Sequence, residues 1–248
     1  MTVRCRASTV MRYAVSLVLG LLLWQFLSLA ISSHVLPGPV LVARKLGQLL
    51  VSGALLADLG WTLLRVALGT AAGCALGLLL GVLLAHSRRL FALMDPLVQL
   101  LRPVSPFAWT PLVILLFGLG NAPAIITILA GVLFPAIVIV CDAIQGINQE
   151  MRDIARIFGA HGWTLVRQVE LPLIAGQLLS ALRVLFGVGW VLAIGAEMLA
   201  ANSGLGFRLM NARYLIDFPQ LYAVILVIGL AGFGLDRLLL RFATGETA

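Results

Sequence analysis

One polar segment, residues 148–172, gathers the side chains best able to make a specific contact: NQEMRDIARIFGAHGWTLVRQVELP. Gly159 and Gly162 lie between its helical stretches, 150–158 and 163–170. Along the first, Met151, Ile154, Ala155 and Phe158 recur at spacings of three and four and share one face, while Arg152, Asp153 and Arg156 stand elsewhere around it. An apolar ridge ringed by charge suits docking on a partner protein. It equally suits a helix lying on lipid headgroups, and the residues alone leave both open.

Covalent chemistry finds no foothold. A phosphate-cradling loop needs glycines leading into a lysine, but the single lysine, Lys45, follows Leu41-Val42-Ala43-Arg44. Neither H-E-x-x-H nor G-x-S-x-G occurs. Cys5, Cys74 and Cys141 are far apart, and His34, His86 and His161 share no local motif, so no metal-ligand spacing or disulfide framework follows. We expect no catalytic, cofactor or metal site, and no enzyme.

The elements that must hold the polar segment are set by composition. The 248 residues are 61% apolar and 11% charged, against about 45–50% and about 25% for a soluble domain. A net charge of +7 would point to nucleic acid in a soluble protein. Here the 17 basic residues lie in short clusters between apolar runs, with no basic face, and read as cytoplasmic loops of a membrane protein. No nucleic-acid partner is expected.

A membrane helix needs about 20 apolar residues, and uncharged runs locate six spans. Residues 13–42 are uncharged, with the apolar stretch ending near Ile31. Residues 66–87 form the second run. Residues 103–141 are 39 uncharged residues, too long for one span, and Gly118, Gly120, Asn121 and Pro123 divide them into two. Residues 171–196 hold one charge, Arg183, and 218–235 none. With the N-terminus inside, ten basic residues fall on inner segments and four on outer ones, which places both termini in the cytoplasm. The first span resembles a signal peptide, but it exceeds the usual apolar length and is read as an uncleaved helix.

The resulting organisation is a cytoplasmic N-terminus (1–12), a first transmembrane helix (13–33), an outer amphipathic segment (34–65), a five-helix core (66–242) with its inner loop at 148–172, and a short tail (243–248). Within 34–65, Val42, Leu46, Leu49 and Leu50 follow helical spacing, with Arg44, Lys45 and Gln48 interleaved. Gly69, Gly73, Gly77 and Gly81 form a ridge of small residues for close helix packing, within the chain or against another. Pro106 and Pro111 are close enough to break or kink the third span.

Asp153-Ile154-Ala155, three residues, Gly159, nine residues, then Val169-Glu170-Leu171-Pro172 resembles the EAA loop of binding-protein-dependent ABC importer permeases. Asp153, Ile154 and Val169 depart mildly from that pattern, and Ile154 adds bulk where a small residue usually sits. Leu36-Pro37-Gly38-Pro39, Leu101-Arg102-Pro103 with Pro106, Phe117-Gly118, and Ala196-Glu197-Met198 with Ser203-Gly204-Leu205-Gly206 are similar to the nitrate/sulfonate/taurine-type subfamily.

The resemblance implies an all-α polytopic membrane protein of type I ABC importer permease fold, with six transmembrane helices and a cytoplasmic coupling helix in the bacterial inner membrane. It implies pairing with a second copy, two cytoplasmic ATP-binding subunits, and a periplasmic or lipid-anchored binding protein delivering a small solute such as a sulfonate, taurine, nitrate or thiamine precursor. By the same likeness Asp153, Ala155, Arg156, Phe158, Gly159, Ala160 and Trp163 would touch the ATP-binding subunit. Asp153 is expected near a helix start and Pro172 at the opening of the fifth span. Glu197 is expected near the outer end of the solute path, or else as a local partner of Arg208 or Arg213. The competing readings are an ion-coupled secondary transporter, which would want ionisable groups at mid-membrane, and an intramembrane enzyme, for which no catalytic cluster is found.

Overall fold

The computed structural model describes residues 2–31 and 35–244; Met1, residues 32–34 and the last residues of the expected tail, 245–248, lie outside it. None of the described residues forms a strand. In chain order the helices are α1 (Thr2–Ile31), α2 (Pro39–Val51), α3 (Ala54–His86), α4 (Arg88–Leu101), α5 (Pro106–Phe117), α6 (Asn121–Gln145), α7 (Gln149–Ile157), α8 (Trp163–Leu165), α9 (Leu171–Ala200), α10 (Leu205–Tyr214) and α11 (Phe218–Thr244), with a π turn at Val166–Glu170.

Four helical stretches among the described residues are long and apolar enough to cross a bilayer: α3, α6, Trp163–Ala200 and Phe218–Arg241. The α4–α5 pair passes the same test together but is bent by 94°, and α1 contributes a shorter apolar stretch, Val18–Ala30. Six spans therefore require α1 and the bent pair to count as one each.

Three span boundaries differ from those the sequence predicts. Asp58 and Arg65 interrupt the apolar run, so the sequence starts the second span at residue 66. The helix instead starts at Ala54, since both charged side chains are buried and hydrogen-bonded inside the protein. The outer segment expected at 34–65 thus shrinks to α2, which ends before Gly53. The third span, expected from residue 103 with a break or kink at Pro106 and Pro111, is short: α5 has 12 residues, about 18 Å against a core of about 30 Å. Proline disfavours helical geometry in the residue before it, and Ser105, before Pro106, takes extended geometry, so that α5 opens on Pro106. The last span continues through Asp236 and Arg237, where Asp236 meets Arg183.

The chain packs as two units, residues up to 57 with 208–228, and 58–207 with the remainder. In the first, Ser28 Oγ donates to the Leu36 carbonyl at 2.7 Å and the Trp24 and Tyr222 rings lie 6.4 Å apart. Val42 and Leu49, two turns apart, are the buried side of α2, which is amphipathic as its spacing predicts. Lys45 Nζ meets Asp217 Oδ2 at 2.6 Å.

In the second unit the glycine ridge of α3 packs within the chain, against α6. A Cβ at Gly69 would lie 2.7 Å from Ile128, at Gly73 2.9 Å from Val132 and at Gly81 2.7 Å from Val140, while Gly77 faces Ala136 still more closely. The four pairs step down both helices in register. Close backbone approach of this kind gives dispersion contacts that lipid cannot replace. Gly77→Ala should therefore destabilise the protein by about 1–3 kcal/mol. Gly60→Ala, in the same helix with open space around it, should be neutral or slightly stabilising. Thermal unfolding of the detergent-purified protein checks the contrast, and equal effects would refute the packing role.

Candidate coupling helix and its buried ion-pair supports

Helix α7 is built by local signals. Asn148 caps it, accepting a hydrogen bond from the Glu150 N–H at 3.0 Å, and Glu150 places a carboxylate in the first turn, where the helix dipole favours it. Its end is a Schellman motif: the Ala160 N–H donates to the Ala155 carbonyl and the Gly159 N–H to the Arg156 carbonyl, both at 3.0 Å. Gly159 takes φ +87°, a left-handed conformation that costs a residue with a Cβ about 1–2 kcal/mol. Ala155, Gly159 and Ala160 thus form the cap.

That cap presents a large exposed surface. Phe158 is 86% exposed, Ile157 83%, Trp163 67%, and Met151 and Ile154 about half. No residue of α7 is buried. Asp153 and Arg156 pair with each other at 3.1 Å, and Asp153 also accepts from Gln149. One expectation changes: Asp153 is the fifth of nine residues rather than near the helix start, and Glu150 takes the dipole position. Pro172 stands in the first turn of α9 as expected, though the helical chain runs into it unbroken from Trp163 through the π turn. A proline lacks the N–H that an α-turn would use, and the chain takes the wider π form immediately before it. Ile157 escaped the face reading, although it stands three residues after Ile154.

The helix is held from below by a buried acid. Glu170, 1% exposed, receives His86 Nε2 at 2.8 Å and Arg152 Nε at 3.1 Å. These are charge contacts more than aligned hydrogen bonds, and His86 contributes a charge only when protonated. Arg152 also donates to the Ile144 carbonyl. Residues from α3 and α7 therefore converge on the one carboxylate of the π turn, and α6 joins through the Ile144 carbonyl on Arg152, a cluster that no local motif announces.

A second cluster closes the other end of the same unit. Arg65, 1% exposed, uses its guanidinium fully. Nη1 donates to Glu197 Oε1 and to the Ser203 carbonyl, both at 2.7 Å. Nη2 donates to Asn121 Oδ1 at 2.7 Å and Ser203 Oγ at 2.6 Å, and Nε donates to Asn121 Oδ1 at 2.9 Å. Glu197 Oε2 accepts from Thr62 Oγ1 and from the Gly206 N–H, both at 2.9 Å. Gly204 has φ +103°, and a Cβ there would sit 2.5 Å from the Glu197 carboxylate. Its N–H bonds to Asp58 Oδ1. Glu197 is thus enclosed in a polar network, with Arg65 as its ion partner. The network joins α3, the start of α6, the end of α9 and the 203–206 turn.

Helices long and apolar enough to cross a bilayer, joined by an exposed charged helix with an apolar ridge, define a polytopic membrane protein. Comparison with known proteins places it more closely. Residues 73–244 match the family described as binding-protein-dependent transport system inner membrane component. A probable ABC transporter permease protein of Brucella melitensis is 32% identical over 216 residues, 87% of each chain. A putative aliphatic sulfonates transport permease protein of Bacillus subtilis is 31% identical, covering 82% of this chain and 73% of its own. A nitrate import permease protein of Synechococcus elongatus is 30% identical, covering 91% and 86%.

Among solved structures, an inward-facing form of the MetNI methionine ABC transporter aligns with TM-score 0.69 at 19% identity, over 79% of this chain and 97% of that one. The bacterial alginate ABC transporter, solved with its alginate-bound periplasmic protein, aligns with TM-score 0.66 at 14% identity, over 96% and 93%. The chain belongs to the family of binding-protein-dependent transport system inner membrane components. It is a multi-pass inner-membrane permease subunit of an ABC importer, whose ATPase is a separate subunit and whose partners include a solute-binding protein.

Proposed function

We propose that two copies of this chain, each with both termini in the cytoplasm and spanning the membrane six times, form the path for a small solute of the sulfonate, taurine, nitrate or thiamine-precursor kind. The solute arrives from a periplasmic or lipid-anchored binding protein, and two ATP-binding subunits dock on the α7 helices. The solute class is supported by the solutes for which the sulfonate and nitrate relatives are named. Because the glycine ridge is used within the chain, it gives no support to pairing. Native mass spectrometry of the assembled complex should find two copies of this chain; a second, different permease chain would refute the homodimer.

Phe158 carries the docking reading, standing 86% exposed at the end of a helix whose base is anchored through Arg152 and Glu170. In this reading Phe158 and Trp163 insert into the ATP-binding subunit, and Asp153 and Arg156 border them. Ala155, Gly159 and Ala160 hold the turn that aims Phe158. Glu197 serves the outer end of the path by fixing the end of α9. ATP-driven closure of the ATPase pair pulls on α7 and is passed through the Glu170 cluster to α3 and α9, so that the path alternates between its two openings.

Buried aromatic anchors at interfaces typically contribute about 2 kcal/mol or more. Phe158→Ser should accordingly weaken ATPase binding about 30-fold and lower ATP-driven uptake, with membrane abundance unchanged. Normal uptake in that variant would sink the docking role. In membrane vesicles, uptake should require ATP and the ATPase subunit and survive collapse of the proton and sodium gradients; an ion-coupled carrier would behave oppositely.

A further inference from the structure

The second unit contains a cavity of about 170 Å³ among α5, α6 and α9, bordered by Arg102, Pro106, Trp109, Gly131, Phe134 and Val188. Its depth follows from counting. At about 1.5 Å per residue, its lining residues lie about 12–21 Å from the Phe117 end of α5, the Asn121 end of α6 and the Ala200 end of α9. Those last two ends are level, because the Gly120 N–H donates to the Ala200 carbonyl at 2.8 Å. Half of a core about 30 Å thick is about 15 Å, so the cavity sits near mid-membrane, where α4 and α5 break at 94°.

Arg102 stands at that break. It is exposed in the single chain, and none of the ion pairs among the described residues includes it. Two arginines inside the apolar spans, Arg65 and Arg183, are held by acids. Arg65 is saturated with partners, and Arg183 is paired with Asp236 through two 2.7 Å hydrogen bonds. An arginine at this depth is expensive to leave facing lipid and faces water or protein instead. Non-helical backbone at membrane depth is likewise tolerated where it lines a protein-covered or water-filled space. The broken span, the unpaired cation and the cavity coincide.

Resting on the reading of this chain as the solute path, we infer that Arg102 is an anion contact of that path. It would bind the sulfonate, carboxylate or nitrate-type oxyanion of a passing solute by charge-assisted hydrogen bonds. Trp109 and Phe134 present aromatic surface to the remainder of the solute. The cavity is small and otherwise apolar, so a single cation decides the sign of charge admitted. One unpaired arginine without further fixed donors also suits transit, since a contact on a path must release what it binds.

The test uses the complete complex in lipid nanodiscs, with Cys5, Cys74 and Cys141 replaced by alanine and Val188→Cys as reporter. Labelling rates are measured with an anionic methanethiosulfonate (sulfonatoethyl) and a cationic one (trimethylammonioethyl), each normalised to its rate with free cysteine. The anionic reagent should be favoured about tenfold or more, Arg102→Lys should keep the preference, and Arg102→Gln should abolish it. Equal rates, or no labelling by either reagent, would overturn the inference; equal rates are also the outcome if an acid of the second copy neutralises Arg102. In proteoliposomes, ATP-driven uptake of taurine, methanesulfonate or nitrate should fall at least tenfold in Arg102→Gln, and unchanged uptake would equally overturn it. An intact anion preference without uptake of any of these solutes would count against the proposed solutes and leave the anion contact standing.

Discussion

Arg65→Met is expected to cost about 3–5 kcal/mol of stability, the range found when one partner of a buried ion pair is removed and its counter-charge is left uncompensated. The substitution strands Glu197, which is 1% exposed, and also deprives Asn121 and the Ser203 carbonyl of their donors. Thermal unfolding of the detergent-purified protein should show a large downward shift, with poor assembly of the complex. The double variant Arg65→Met with Glu197→Met should recover much of that loss, because no buried charge is then left alone. Glu197→Gln separates two roles. Loss of stability would mark Glu197 as the fastener of α9, whereas a stable, ATP-hydrolysing complex without uptake would mark it as belonging to the path itself. A stable Arg65→Met protein would remove the network from any account of the fold.

Glu170→Ala is the second large expected effect, and it acts at the opposite end of the unit. The carboxylate is the common partner of Arg152 on α7 and His86 at the end of α3. Without it Arg152, 18% exposed, keeps the Ile144 carbonyl but loses its counter-charge. The Phe158 surface remains, so the ATPase subunit should still bind. The link that turns its movement into movement of the spans is gone, so uptake should fall more than tenfold while basal ATP hydrolysis continues. Hydrogen exchange across residues 148–172 should quicken. Uptake at the normal rate would show that α7 transmits its motion by some other contact. Glu170→Asp, which shortens the acid by one methylene but keeps its charge, should retain some of the uptake.

Local features were legible because their causes are local. The end of α7 could be read from Gly159, since a left-handed turn demands glycine wherever it stands in the chain. Pro106 and Pro111 announced a break or kink in the third span, and α5 opens on Pro106. The ridge from Gly69 to Gly81 announced close packing, but four small residues in line fit any smooth helix, and the sequence could not say which. Span ends were misjudged where they were inferred from charge. Asp58 and Arg65 looked like the polar edge of a span, yet both lie inside the protein, because a charged group in a helix can be buried once distant partners satisfy it.

By itself, then, the sequence determined that this is a helical membrane protein, where most of its apolar helices lie, and that a charged helix with an apolar ridge stands between two of them. Hydrophobic runs of span length and short-range capping decide those features within about 20 residues. The tertiary structure alone decided that Glu197 answers Arg65 across 132 residues, that α3 lays its glycines on α6, that Glu170 gathers Arg152 and His86, and that Arg102 borders a cavity among α5, α6 and α9. The cost of a buried charge depends on which groups reach it, and those groups come from helices brought together only by packing.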